Sequence, residues 1–209
     1  MKKVQPYQNI EEALDTLDNG GRFYNIFTKA GDGIISQAEL GKVGGVFNNK
    51  QAAILFLELA TSELDKAAKG KLLSKMEADL QSSHEKFLPQ RLLPSEVKTK
   101  GILSSSAIVT GVPRLTTSKT SFNGFIMVPI STGNITTFTM IPLIDRYDVY
   151  ELRDEASSET FIIAHSKSKE KLPEKKMKVA GIIKELKTNK QEDVASNLFL
   201  EVLYNSEIA

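Results

Sequence analysis

With 209 residues, 41% of them apolar and 25% charged, the chain has the make-up of a globular protein long enough to bury one core or two. Its net charge of +1 exerts no overall pull toward nucleic acid or an anionic membrane. The lack of any cysteine removes disulfides, thiolate metal sites and cysteine nucleophiles. The N-terminus carries two lysines but no apolar run, so no signal peptide is expected, and the longest apolar stretch, Ala52–Leu57, is too short for a membrane span. A cytoplasmic protein without membrane contact is the expectation.

Residues 1–97 are helical in pattern. Asn9 caps a first helix in which Ile10, Ala13, Leu14 and Leu17 share one side, and Gly20-Gly21 stops it. A second short helix carries Phe23, Ile26 and Phe27 up to the break at Gly31-Asp32-Gly33. A third starts near Ser36 with Leu40, Val43 and Phe47. The strongest helical period follows Asn48-Asn49, running through Ala53, Ile54, Leu57, Leu64 and Ala68. Leu72, Leu73, Met76 and Leu80 continue the period toward Phe87, and Pro89 and Pro94 are expected to end helical structure.

The stretch from Thr28 to Glu39 resembles the twelve-residue calcium loop of EF-hand proteins. Asp32 falls at its fifth place, Gly33 at the sixth, Ile35 at the eighth, Ser36 at the ninth and Glu39 at the twelfth. Thr28 and Ala30 stand where the first and third ligands would be, so the resemblance implies a helix–loop–helix of this ancestry without metal. Calcium held by Asp32, Ser36 and Glu39 is the alternative. Ser36-Gln-Ala-Glu39 also reads as a plain capping box for the third helix.

From about Gly101 the composition turns to Ser, Thr, Val, Ile and Phe, with Arg114 and Lys119 the charged residues of 101–144. That is β-type composition. Phe122–Ser131 and Asn134–Ile144 flank a tight hairpin at Thr132-Gly133, with Pro129 and Pro142 at strand ends or on an edge. Between Tyr147 and Asn205 follow four β-type runs, the third with Gly181 inside it. Six or seven short strands in roughly 110 residues indicate a barrel or a sandwich.

The order of those four runs, with a turn after Arg153-Asp-Glu and a lysine-rich connector before Lys178-Val-Ala-Gly-Ile-Ile, resembles an oligonucleotide/oligosaccharide-binding (OB) fold of the anticodon-binding type. Asn134–Ile144 is the candidate for its first strand. The resemblance implies a ligand across the second and third strands, held by stacking and basic groups. On that basis Tyr147 and Arg153 on one strand and Phe161 and His165 on the next form a candidate platform. The alternative is that Phe161 is core and Arg153 pairs with a neighbouring acid. Ser166–Lys190 holds nine lysines against three glutamates, so Lys167, Lys178 and Lys184 are candidates to track a phosphate backbone. A solvated loop that protects an edge strand explains the same run.

No nucleophile elbow, phosphate loop or histidine metal pair occurs, and His84 and His165 are the only histidines, so no catalysis, cofactor or metal is expected. The expected fold is α+β. Residues 1–97 form a helical domain with the EF-hand-like helix–loop–helix, and residues 101–209 form an antiparallel, OB-like β-barrel domain. The expected function is non-catalytic binding of single-stranded nucleic acid or an extended polymer. The alternative is a protein–protein adaptor or structural assembly component that uses the low-charge β region 101–144 for a partner or for self-association.

Overall fold

A computed structural model describes residues 1–19, 31–46, 48–116, 124–132, 135–155, 157, 159–167, 170–188 and 197–208. The expected helix through Phe23 and Phe27, and Phe47 of the third helix, lie outside them, as does Gly133 of the hairpin turn.

Caps define the helices much as their sequences suggest. Helix α1 (Ile10–Leu17) starts where the Asn9 side chain accepts the Glu12 N–H at 2.9 Å, and it buries Ala13 and Leu17. Helix α2 (Gln37–Gly44) opens on the reciprocal capping box of Ser36 and Glu39. Helix α3 (Lys50–Ala60) is buried without interruption from Ala52 to Ala60, which makes it the centre of the helical layer. Its period does not run on through Leu64 and Ala68 as one helix. Asp65 instead takes the Ala68 N–H at 2.7 Å and caps a separate helix, α4 (Lys66–Leu73), before α5 (Ala78–Phe87). Nor does Pro94 end the helices: it begins α6 (Pro94–Lys100), because a first-turn position has a spare N–H and a φ that proline matches.

Five strands close a barrel: β3 (Ser106–Leu115), β6 (Tyr147–Arg153), β7 (Thr160–Ser166), β10 (Leu198–Glu207) and β8 (Met177–Glu185), with β8 returning to β3. Numbered within the barrel, the order is 1-2-3-5-4-1. Two expectations change here. The barrel's first strand is Ser106–Leu115, not the run ending at Ile144. The barrel is also mixed rather than wholly antiparallel, because β7 and β10 run parallel while the other four seams are antiparallel. The long link from β7 through β8 brings β10 in beside β7 in the same direction, which a hairpin cannot do.

Alternation sorts the barrel side chains. Ala107, Val109, Tyr150, Leu152, Phe161, Ile163, Val179 and Leu200 fill the interior. Ile108, Ala180 and Tyr204 point outward and join one apolar cluster with α3, so the helical layer packs directly on the seam of β3, β8 and β10. Gly181 sits where that seam is tightest: a Cβ there would lie 2.1 Å from the Glu201 carbonyl oxygen, opposite the bulge between Val202 and Tyr204. The N-terminal strand β1 (Lys2–Lys3) runs parallel to β10, and the short β2 (Gln90–Leu92) runs parallel to β3.

Between the first and second barrel strands the chain makes a separate three-stranded sheet. Strand β4 (Gly124–Thr132) pairs along its length with β5 (Ile135–Pro142), and at its base with β9 (Lys187–Thr188), which follows β8. Helix α7 (Leu143–Arg146) then leads into β6. The β4–β5 pair forms an arm, and Thr136 to Met140 on it are all exposed. No helix among the described residues is long and apolar enough to cross a membrane.

Candidate functional site

The outward face of β6 and β7 is the first surface to test. Register places Tyr147 opposite Ser166, Val149 opposite Ala164, Glu151 opposite Ile162 and Arg153 opposite Thr160 on the outside. Phe161 and His165 stand opposite Leu152 and Asp148, on the inside. The expected platform is therefore split: Tyr147 and Arg153 face outward, while Phe161 at 3% exposure and His165 at 0% belong to the barrel interior. The alternation within each strand was read correctly; the register across the β6–β7 turn was not.

Much of the outer face is covered by the chain itself. Leu143 from α7, Leu186 and Phe199 pack on Val149 and Ala164, with Ile126 from the arm and Ile144 alongside. Tyr147 is half-buried, and its hydroxyl donates to the Glu201 carboxylate at 2.5 Å. Burial pushes the Tyr147 phenol up to about 12, and the Glu201 carboxylate adds to the rise. Arg153 is exposed, 3.9 Å from Glu151 on its own strand.

Four of the run's nine lysines meet an acid from another segment. Lys178 donates to Glu63 at 2.6 Å and to the Ser62 hydroxyl at 3.0 Å, joining the barrel to the turn after α3. Lys184 reaches Glu201 at 2.5 Å, Lys171 reaches Asp148 at 2.6 Å, and Lys176 pairs with Glu155. Lys167 is exposed. These four pairs offset part of the positive field that the run carries along the chain.

Three other clusters carry chemistry without forming a site for it. In the barrel interior, His165 stacks on Tyr150 at 5.5 Å, and its Nδ1 donates to the Ser166 carbonyl at 2.8 Å. That assignment leaves Nε2 as a buried acceptor, which meets no hydrogen-bond partner among the described residues. Burial lowers the His165 pKa from its ordinary value. In the helical layer, Glu58 accepts Lys69 at 2.8 Å, Arg91 at 2.8 Å and His84 at 2.9 Å, tying α3 to α4, α5 and β2. In the EF-hand-like segment, the Asp32 carboxylate accepts the Ile34 N–H at 2.9 Å, and Glu39, 3% exposed, accepts the Ser36 N–H and hydroxyl. Thr28 and Ala30 lie outside the described residues. Ile35 does find a partner that the sequence did not reveal: its N–H donates to Lys75 and its carbonyl accepts Glu77, at 2.8 and 3.0 Å. No group of three or more metal-ligating side chains occurs among the described residues.

A cleft of about 620 Å³ lies beside β1, lined by Lys3, Val4, Pro6, Glu63 and Glu207 among others. Its Lys3 is already paired with Glu207 at 2.6 Å, and its Glu63 with Lys178. Among the described residues the arm is one surface that exposes large apolar side chains, as Ile102 at 60% and Leu103 at 47% also do. Phe138 is 63% exposed, Met140 49% and Met127 46%, and register puts Met127 opposite Met140 and Pro129 opposite Phe138. Phe138 and Met140 were not singled out from the sequence. The available signal was a strand without charge or proline between turn and Pro142.

No protein-family model matches the chain, and no curated protein matches it. Among solved structures it is similar to a chain described as an aspartyl-tRNA synthetase from Leishmania major Friedlin, at 9% identity and a TM-score of 0.34. The likeness covers 58% of this chain and 21% of that one, so it spans about a fifth of that protein's length.

Proposed function

We propose that the protein is a non-catalytic assembly module that engages a protein strand through the β4–β5 arm, with the barrel as the scaffold presenting it. The observation that carries this reading is β5 itself: Thr136 to Met140 are exposed on both faces of the arm, in a stretch without charge. A strand edge of that kind is a template for a further strand, and the usual guards, a lysine, an internal proline or a bulge, are missing before Pro142.

The barrel order 1-2-3-5-4-1 is that of an OB barrel, where ligands lie over the second and third strands between the 1–2 and 4–5 loops. In this chain those two connections are the arm and the segment holding β9, and they pair as antiparallel strands with Gly124 opposite Thr188 and Phe125 opposite Lys187. The outer face beneath is occupied by Leu143, Ile126 and Leu186. This supports an OB-type barrel used as a platform.

The test uses the tagged full chain as bait beside a Phe138→Lys bait. The reading expects a retained protein, another copy or a different chain, that the variant loses. Identical capture by both baits overturns it.

Single-stranded nucleic acid is the second reading, favoured by the strand order and by exposed Arg153 and Lys167 at the two ends of the β6–β7 face. Anisotropy with labelled single strands then shows affinity that falls steeply with salt and weakens in Arg153→Ala. No binding at low salt rules it out.

A further inference from the structure

We infer that the strand received by the arm is β5 of a second copy, paired antiparallel about a two-fold axis at Phe138; this rests on the reading of β5 as a strand-accepting edge. Three features of the chain point to a copy rather than a different protein.

The first is which edge the backbone presents. Pro129 lies opposite Phe138, and Pro142 lies opposite Phe125. Proline has no N–H, so these positions are the non-hydrogen-bonded pairs of the β4–β5 ladder. The N–H and C=O of Phe138 consequently point away from β4. Among the described residues no strand pairs on that side of β5. A second Phe138 across a two-fold axis would exchange both of its hydrogen bonds with the first.

The second is self-complementarity. The sequence from position 135 to 141 reads Ile-Thr-Thr-Phe-Thr-Met-Ile, which is nearly the same in both directions about Phe138. A two-fold pairing therefore sets Phe138 against Phe138, Thr137 against Thr139 and position 135 against 141. Aromatic pairs and threonine pairs are favourable cross-strand neighbours, and an isologous contact demands this kind of self-matching.

The third is charge. No Asp, Glu, Lys or Arg occurs between positions 124 and 144, so self-pairing brings no like charges together. A dedicated partner of different sequence is usually selected by complementary charge, and this edge offers none. Pairing also joins two three-stranded sheets into one of six strands, covering an arm that is thin on its own.

Sedimentation and light scattering of the full chain test the pairing. The wild type is expected to move from one to two chain masses as concentration rises. Phe138→Lys and Phe138→Glu, at an exposed position that leaves thermal unfolding unchanged, are each expected to raise the dissociation constant at least about tenfold, because the axis sets two like charges on one another. Mixing the two variants is expected to restore the dimer, now as a Lys–Glu pair. A monomeric wild type at every soluble concentration overturns self-pairing. So does a dimer that Phe138→Lys leaves intact, or a mixture of the two variants that stays monomeric. A monomeric wild type that still captures a different protein through Phe138 overturns only this inference; one with no Phe138-dependent capture also ends the strand-edge reading.

Discussion

Glu58 is a buried carboxylate whose contribution can be worked from its surroundings. It is 4% exposed, on helix α3, which is buried from Ala52 to Ala60. Burial alone would raise its pKa, but hydrogen bonds from His84, Lys69 and Arg91 outweigh that and hold it at about 2, against an ordinary 4.5. A fall of about 2.5 at 1.36 kcal/mol each corresponds to about 3 kcal/mol of stability. Because the folded value lies below the unfolded one, this contribution is complete above about pH 4.5 and is lost as pH falls toward 2. Glu58→Gln keeps the shape and removes the charge. In urea unfolding near pH 7 the variant is expected to lose about 3 kcal/mol, and the two proteins should converge near pH 2. A variant within about 1 kcal/mol of the parent at neutral pH, or with the parent's full acid slope, would refute the idea that this network clamps α3.

Two further outcomes follow from the barrel. Gly181→Ala places a Cβ against the Glu201 backbone, which has no rotamer to escape into, so β8 and β10 must part; a loss of about 2–4 kcal/mol is expected in thermal unfolding, and an unchanged midpoint would show the seam to be slack. His165 titrates below its ordinary 6.5 when folded, so the unfolded chain binds the extra proton. Stability should therefore be complete above about pH 6.5 and decline as pH falls below it. His165→Phe should remove that decline, and persistence of the same limb in the variant would assign it to another group.

The elements of the barrel were legible because each is a short apolar run between polar gaps: β6, β7, β8 and β10 fall within a few residues of the runs seen in the sequence. The caps at Asn9 and Ser36 were legible for the same local reason. What the sequence concealed was pairing. Whether Phe161 lies beside Tyr147 or behind it depends on the β6–β7 register, and a shift of one residue across that turn exchanges inside for outside. The run from 134 to 144 pairs with β4 in the hairpin that the sequence signals, but its composition suited the first place in the barrel equally well. Ser106–Leu115, interrupted by Gly111 and Pro113, closes the barrel instead. Long-range contacts chose between them, and composition carries no record of such contacts.

The same distinction decides how the charges are read. Counted along the chain, Ser166–Lys190 has an excess of six positive charges. Counted in space, Lys171, Lys176, Lys178 and Lys184 each meet an acid from another segment: Asp148, Glu155, Glu63 and Glu201. Each exposed pair is worth at most about 1 kcal/mol of stability, but together they lower the potential a phosphate backbone would feel. On β5 the two counts agree, since its sequence has no charge and its register with β4 sets none opposite it; Lys187 meets the arm only at its base, opposite Phe125. Strand recognition needs only an open backbone edge and a matching neighbour, whereas nucleic-acid recognition needs net positive field along a groove. Among the described residues the β5 edge meets the first requirement, and the four lysine pairs weaken the second.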